Sequence, residues 1–276
     1  MKRTLSVLPL ALGLLYAPAA AQTPSEPNLV LTIVGGVATG STLWTINRQP
    51  LDVLCTPPQG CGIDTLRLVR DLTPGIIAGL TATYFRNPKV GFTLDVFFVE
   101  FPLDDTCEGI FYNPDSGGDP VFGTRNNQVC NDIGSSSPST SAISAMGGVV
   151  LRAAGSKSIS PYIRGSVGVV GYSSGTVATS GVFVENQNIR TRSVLIDDKP
   201  KTMRLGAQAA VGITARMSPS YQFRFEVRDV IAPMEEVAGP APISTLRPPK
   251  TTVLLHRFAL TFGLDVVLEK SRGRRY

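Results

Sequence analysis

A single histidine stands in the 276 residues, which excludes a multi-histidine metal centre. Charge is sparse as well, at 17% of residues. The formal net charge of +5 comes from 26 Lys+Arg against 21 Asp+Glu, and the excess sits at the chain ends. Setting aside Lys2, Arg3 and the four bases and one acid of residues 269–276 leaves 20 bases against 20 acids. A neutral body offers no basic surface for nucleic acid. Past the first 21 residues there is no sustained helical period. Nor does any run approach the ~18 uninterrupted apolar residues that mark a spanning helix. What the chain does have is 43% hydrophobic residues, 27 Gly and 21 Pro, a balance that suits a folded domain better than a disordered one. If the mature chain lies in a membrane, it must lie there as a barrel.

Residues 1–21 read as a charged start (Lys2, Arg3), an apolar middle from Leu5 to Tyr16 and a small-residue exit with Ala19 and Ala21 in a cleavage box. That is the pattern of a secretory signal peptide. Pro9 and Pro18 interrupt the run, which is also shorter than the ~20 apolar residues of an anchoring helix. Residues 22–28 form a short N-terminal segment. The four cysteines fit export. Cys55 and Cys61 lie in one Pro- and Gly-rich stretch, and Cys107 and Cys130 in another that is rich in Asp. Of the three possible connectivities the two local pairs are preferred, because each closes within a single loop, as an oxidising compartment allows.

From residue 29 onward, segments of two-residue period alternate with turn-rich gaps. Eight such segments lie near residues 29–38, 74–85, 90–101, 141–153, 160–172, 202–216, 220–231 and 252–268. Most reach ten residues or more, whereas soluble strands usually run to about five or six and a tilted membrane strand needs about 9–11. The alternation is plainest where Tyr221, Phe223, Phe225 and Val227 share one face and Gln222, Arg224, Glu226 and Arg228 the other. It recurs with Phe258, Leu260, Phe262 and Leu264 opposite Arg257, Thr261, Gly263 and Asp265, and with Phe92, Leu94, Val96 and Phe98 opposite Gly91, Thr93 and Asp95.

Short gaps at 86–89, 154–159 and 217–219 interleave with long ones near 39–73, 102–140, 173–201 and 232–251. Tight turns on one rim and long loops on the other are the plan of an outer-membrane barrel, whose short turns face the periplasm. All four cysteines then fall on the outer rim. These features predict an all-β, eight-stranded, antiparallel up-and-down transmembrane barrel over residues 29–268, followed by a basic periplasmic tail at 269–276. An eight-stranded barrel has room inside only for side chains. The polar face therefore predicts a plugged lumen in which Asp95, Glu226 and Asp265 pair with some of Arg164, Arg204, Arg224 and Arg228, because a buried charge must be paired. Trp44, Tyr84, Phe101, Tyr172 and Tyr221, near segment ends, suit an interfacial aromatic girdle.

With this pattern in place, the chain resembles the small outer-membrane β-barrel family of the OmpA-barrel and OmpX type. The resemblance implies an assembly signal in the last strand, which Thr261, Gly263, Val266 and Leu268 match in spacing; Leu268 stands where an aromatic is usual. It further implies recognition by the barrel-assembly machinery, residence as a monomer in outer-membrane lipid, and a structural or adhesin-like role at the cell surface through an unidentified extracellular partner.

Other readings stay open. A narrow pore, or a path for an apolar solute, uses the same barrel. A secreted lipocalin-like carrier shows the same alternation with the apolar face turned inward. A lipid hydrolase would need His256 as base, with Ser193 or Ser244 as nucleophile and an acid to orient the imidazole. In barrels resembling the lipid A deacylases the serine lies two residues after the histidine, where this chain has Phe258, so no enzymatic activity is expected. Asp104, Asp105, Asp115, Asp119 and Asp132 with Asn126, Asn127 and Asn131 make the second long loop acidic, but their spacing does not match a twelve-residue calcium loop. A solvated, disulfide-closed loop is expected there, and no metal or cofactor. Arg272, Arg274 and Arg275 would face anionic headgroups or cell-wall polymers, or remain unstructured.

Overall fold

A computed structural model describes residues 28–52, 62–112, 118–119, 123–133, 139–153, 159–173, 175–185, 187–199, 202–218 and 220–268. The expected signal segment, the basic tail with Arg272, Arg274 and Arg275, the pair Cys55 and Cys61, and Asp115 lie outside these residues.

Eight strands close into a ring. They are β1 (Asn28–Ala38), β4 (Gly75–Phe85), β5 (Val90–Phe111), β8 (Ser139–Arg152), β9 (Ile159–Tyr172), β12 (Thr202–Arg216), β13 (Tyr221–Val237) and β14 (Lys250–Leu268). Each pairs antiparallel with the next, and β1 closes on β14 from Leu29 opposite Leu268 to Ala38 opposite Ala259. These strands coincide with the eight periodic segments. Two run further than the alternation suggested, β5 to Phe111 and β13 to Val237, because their extensions find partners above the ring.

The chain's period of two sends alternate side chains to opposite faces, and here the apolar set faces out. Ile33, Leu80, Leu94, Val167, Leu205, Val211, Phe223, Phe258 and Phe262 are exposed around the ring, while Thr32, Thr81, Asp95, Arg164, Glu226, Arg228 and Asp265 are buried inside it. Asp95 and Glu226 are 0% exposed and Leu205 is 79% exposed, the reverse of a soluble protein. A lipocalin-like carrier needs an apolar interior, and this barrel has a polar one.

In their described residues the long gaps are not solvated loops. They carry β2 (Thr42–Asp52), β3 (Ile63–Leu72), the two-residue β6 (Gly118–Asp119) and β7 (Gly123–Thr124), the helix α1 (Arg125–Ile133), and the hairpin β10 (Gly175–Glu185) and β11 (Asn188–Lys199). β3 pairs with the β5 extension and β2 with β3, so the barrel wall continues as a three-stranded sheet above the rim. On this sheet Leu66, Leu68 and Leu72 point to one side, where they meet Trp44, Ile46, Leu51, Leu103, Val129, Ile133, Phe183, Val194 and Leu195 in a buried core. α1 contributes Asn126, Val129, Cys130 and Ile133 to that side, a spacing of three, four and seven residues that lines one helical face. The result is a folded lobe seated over the long-loop end of the barrel. Phe97, Ile77 and Ala259 of the barrel belong to the same core, so lobe and barrel mouth are packed together.

Candidate functional site

The lumen is filled in layers. Nearest the short turns an apolar layer of Val30, Phe85, Val150 and Tyr162 closes the barrel. Arg152 lies over the Phe85 ring, 3.9 Å from its centroid. Above it Arg224 grips Asp265, with Nε 3.0 Å from Oδ1 and Nη2 3.3 Å from Oδ2, and the Thr32 hydroxyl donates to Asp265 Oδ1 at 2.8 Å. Gly263 makes room for this pair, since a Cβ there would meet Thr32 at 2.8 Å.

At mid-height Arg164 joins two carboxylates, with Nη1 2.9 Å from Asp95 and Nη2 2.5 Å from Glu226. Glu226 also pairs with Arg228, 2.8 Å away, and accepts from the Tyr162 hydroxyl at 2.7 Å. Gly212 is the reason Tyr162 reaches it, because a Cβ there would lie 2.5 Å from the Tyr162 hydroxyl. Arg228 donates to Thr261 at 3.3 Å and stacks on Phe97 at 3.8 Å. These side chains are buried, and such charges are tolerated only when each meets opposite charge and hydrogen-bond partners. The strands supply that pairing by register: Glu226 stands opposite Thr261, and Arg224 opposite Gly263.

Six of the seven residues expected in the lumen network therefore come together. Arg204 does not: it pairs with Glu235 at 2.6 Å, both about one third exposed. Glu235 lies on the β13 extension, a stretch the sequence reads as loop, so this partner was hidden. Arg152 and Arg257 also occupy the lumen, although the sequence reading left them out of the network. Arg257 donates to the Tyr172 hydroxyl at 2.6 Å. Their signal was available, because Arg257 shares the parity of Asp265 on one strand.

The lobe has its own buried charge. Arg70 forms two bonds to Asp105, each 2.6 Å, donates to Thr179 at 2.9 Å, and lies 5.1 Å from the Trp44 ring centroid. Asn126 donates to Asp64 at 2.7 Å and accepts from Arg192, which also pairs with Asp52. Burial lowers the Arg192 guanidinium from its ordinary value. Gln49 exchanges two bonds with the Ala241 backbone, 3.0 and 2.8 Å. Asp132 and Gln128 of α1 accept from the Val182 and Val184 amides, both at 2.9 Å, covering the open edge of β10. The Cys107–Cys130 disulfide, with Cα atoms 5.2 Å apart, ties α1 to β5.

The acidic loop is thereby corrected. Asp104 and Asp105 lie within β5, and Asp105 is committed to Arg70; Asn126, Asn127 and Asn131 are on α1. Three of the five girdle candidates are corrected as well. Trp44 and Phe101 are lobe core, and Tyr172 turns inward to Arg257, leaving Tyr84 and Tyr221 on the outer face. In the last strand Thr261 and Gly263 face the lumen, while Leu268 is exposed.

His256 sits on the outward face, its Nδ1 2.8 Å from Asp229 Oδ2. An acid on Nδ1 leaves Nε2 free, as a triad requires. Phe258, two residues on, is an exposed apolar side chain. Ser193 lies on β11 in register with Ser180, and Ser244 lies in the turn around residues 242–246. The hydrogen bonds of the pair bring in no nucleophile.

No protein-family model matches this chain, and no curated protein matches it. Among solved structures it is similar to Neisserial surface protein A at 9% identity, over 88% of this chain and 99% of that one, with a TM-score of 0.37. It is similar to the outer membrane protein OprG from Pseudomonas aeruginosa at 14% identity, over 87% and 96%, with a TM-score of 0.41. It is similar to the outer membrane protease OmpT from Escherichia coli at 9% identity, over 89% and 98%, with a TM-score of 0.41. These are likenesses of fold. The barrel assignment itself rests on the closed ring of strands.

Proposed function

We propose that the protein is a monomeric outer-membrane barrel whose work is done by the lobe it holds at the cell surface, in a structural or adhesin-like role. One observation carries the reading: the ring turns an apolar band outward and its charges inward. That arrangement is stable when hydrocarbon wets the band, and costly in water. The length of the strands supports it too. The barrel-assembly machinery is the expected handler, through Thr261, Gly263, Val266 and Leu268, and a signal peptide at 1–21 is the expected route out of the cytoplasm.

The plugged lumen argues against a channel. Three successive layers, the apolar floor, the Arg164 network and the lobe core, stand in any axial path. The lobe is bounded by exposed Ile63, Ile110, Phe111 and Ile189, apolar side chains on its surface that suit contact with another molecule. The chain is read as non-enzymatic because Phe258 stands two residues after His256, where barrels resembling the lipid A deacylases carry serine.

One observation favours a second reading, a lateral path for an apolar solute. An open groove of about 630 Å³ runs along the barrel–lobe junction, lined by Val37, Thr39, Leu72, Pro74 and Leu260. Planar-bilayer recording and uptake of a labelled alkane into vesicles separate the readings. The surface role predicts a silent bilayer and no uptake; steady discrete conductance means a pore, and alkane uptake without conductance means the lateral path. For the enzymatic reading, loss of acyl release from membranes in His256→Ala would establish a hydrolase.

A further inference from the structure

Between the Arg164 network and the lobe core the lumen keeps a small chamber of about 30 Å³. At roughly 10–15 Å³ for each water-sized occupant, it has room for two or three, or for one larger ion. Most of its wall is apolar, from Ala38, Ile77, Phe97, Val99, Ala142 and Val170, and its polar wall is Ser144, Gln208, Arg228 and Arg257.

The last three are on adjacent strands. Gln208 stands opposite Val230, and Val230 opposite Arg257, in one row across β12, β13 and β14; Arg228 is one inward step below. All three are more than nine-tenths buried, at 4%, 1% and 8% exposure for Gln208, Arg228 and Arg257. Each holds polar atoms without a protein partner: both amide atoms of Gln208, Nε and Nη1 of Arg228, and Nε of Arg257. Buried donors left in this state are expensive, and native proteins fill such sites with a partner.

Charge decides what kind. Among the described lumen side chains five guanidiniums, Arg152, Arg164, Arg224, Arg228 and Arg257, face three carboxylates, Asp95, Glu226 and Asp265. The carboxylates are taken up at mid-height and below. Arg257, at the chamber, has a phenol for its partner and no acid. A neutral water satisfies donors but leaves a buried cation uncompensated, and that is the larger cost.

We propose that the chamber holds one monovalent anion of halide size, ligated by the Arg228 and Arg257 guanidiniums and by the Gln208 amide N–H. The anion completes the lumen's charge balance and locks the lobe-side end of the barrel. This goes beyond the surface role and does not depend on it.

The test uses the refolded full barrel in phosphatidylcholine bilayers, with sodium chloride exchanged for sodium gluconate at constant ionic strength. Gluconate is too large for the chamber. Thermal unfolding is followed by heat-modified gel mobility. Chloride is expected to raise the unfolding temperature saturably, and bromide likewise, where gluconate does not. Arg257→Gln and Gln208→Leu should each weaken the half-saturating chloride concentration at least tenfold; Gln208→Leu keeps every charge, so it answers if Arg257→Gln does not fold. Equal stability of the wild type in chloride and gluconate would overturn the proposal, as only water then occupies the chamber. An undiminished chloride effect in Gln208→Leu would overturn it too, placing the ion on exposed bases such as Arg247 or Lys250.

Discussion

Replacing Glu226 by glutamine keeps the shape of the side chain and removes its charge from the centre of the lumen. Three contacts converge on that carboxylate, hydrogen bonds from Arg164 at 2.5 Å and the Tyr162 hydroxyl at 2.7 Å and an ion pair with Arg228 at 2.8 Å. Arg164 keeps Asp95, whereas in halide-free gluconate Arg228 is left with the Thr261 hydroxyl and the Phe97 ring. Removing one partner of a buried ion pair costs about 3–5 kcal/mol, because the other charge stays buried without compensation. The upper half of that range is expected here, since two guanidiniums share the one carboxylate. Urea unfolding in bilayers, read by gel mobility, measures the loss. The double variant Arg228→Leu with Glu226→Gln should be less destabilised than the sum of the two single variants, because the orphaned cation is gone. A loss below about 1 kcal/mol for Glu226→Gln, typical of an exposed pair, would refute the buried-network reasoning.

The remaining predictions probe the outer face and the lobe. Phe225→Arg, in the middle of the outer band, should cost about 2–4 kcal/mol, and Tyr221→Arg, near the short-turn rim, about 0–1 kcal/mol; equal costs at the two depths would count against a bilayer. Cys107→Ser with Cys130→Ser opens a loop of 23-residue separation and should destabilise the lobe by about 3 kcal/mol. Trp44, the single tryptophan, is buried in the lobe core and reports that melting by its fluorescence, while gel mobility shows the barrel intact. Tyr112 donates to Asn127, and burial, with the nearby Asp64 charge, raises its pKa above the ordinary tyrosine value. A raised pKa stabilises the fold fully below the unfolded value near 10 and loses that contribution as pH climbs through the folded one. The lobe should therefore loosen in strong alkali, and Tyr112→Phe should blunt the effect; identical alkaline profiles would refute it.

The barrel was legible because two different surroundings act on one strand. A residue such as Phe223 and its neighbour Arg224 must part to opposite faces, and a run of such pairs longer than a soluble strand fixes both the element and its length. The lumen charges followed, since a charge on the polar parity of a closed eight-stranded ring has only the interior to enter. Where parity was not applied, the reading failed: Phe101 shares the parity of Asp95 and Phe97 and is buried with them. The lobe was hidden for a different reason. Its strands are stabilised by partners far along the chain, Gln49 by Ala241 and Arg70 by Thr179, and no local signal announces contacts 192 and 109 residues away. The alternation of Leu66, Leu68 and Leu72 was present, but it sits among Pro, Gly and Asp that read as turn. Arg204 was misplaced because its partner Glu235 lies on a strand extension of that same kind.

The account's central claim concerns what touches the outer band, and quenching by lipids brominated along their acyl chains tests it. In a Trp44→Phe background, tryptophan is placed in turn at Leu80, which faces outward, and at its inward neighbour Thr81. The account predicts strong quenching at position 80 and little at 81. Quenching at 81 with none at 80, or release of the folded protein into detergent-free buffer with neither quenched, would contradict it.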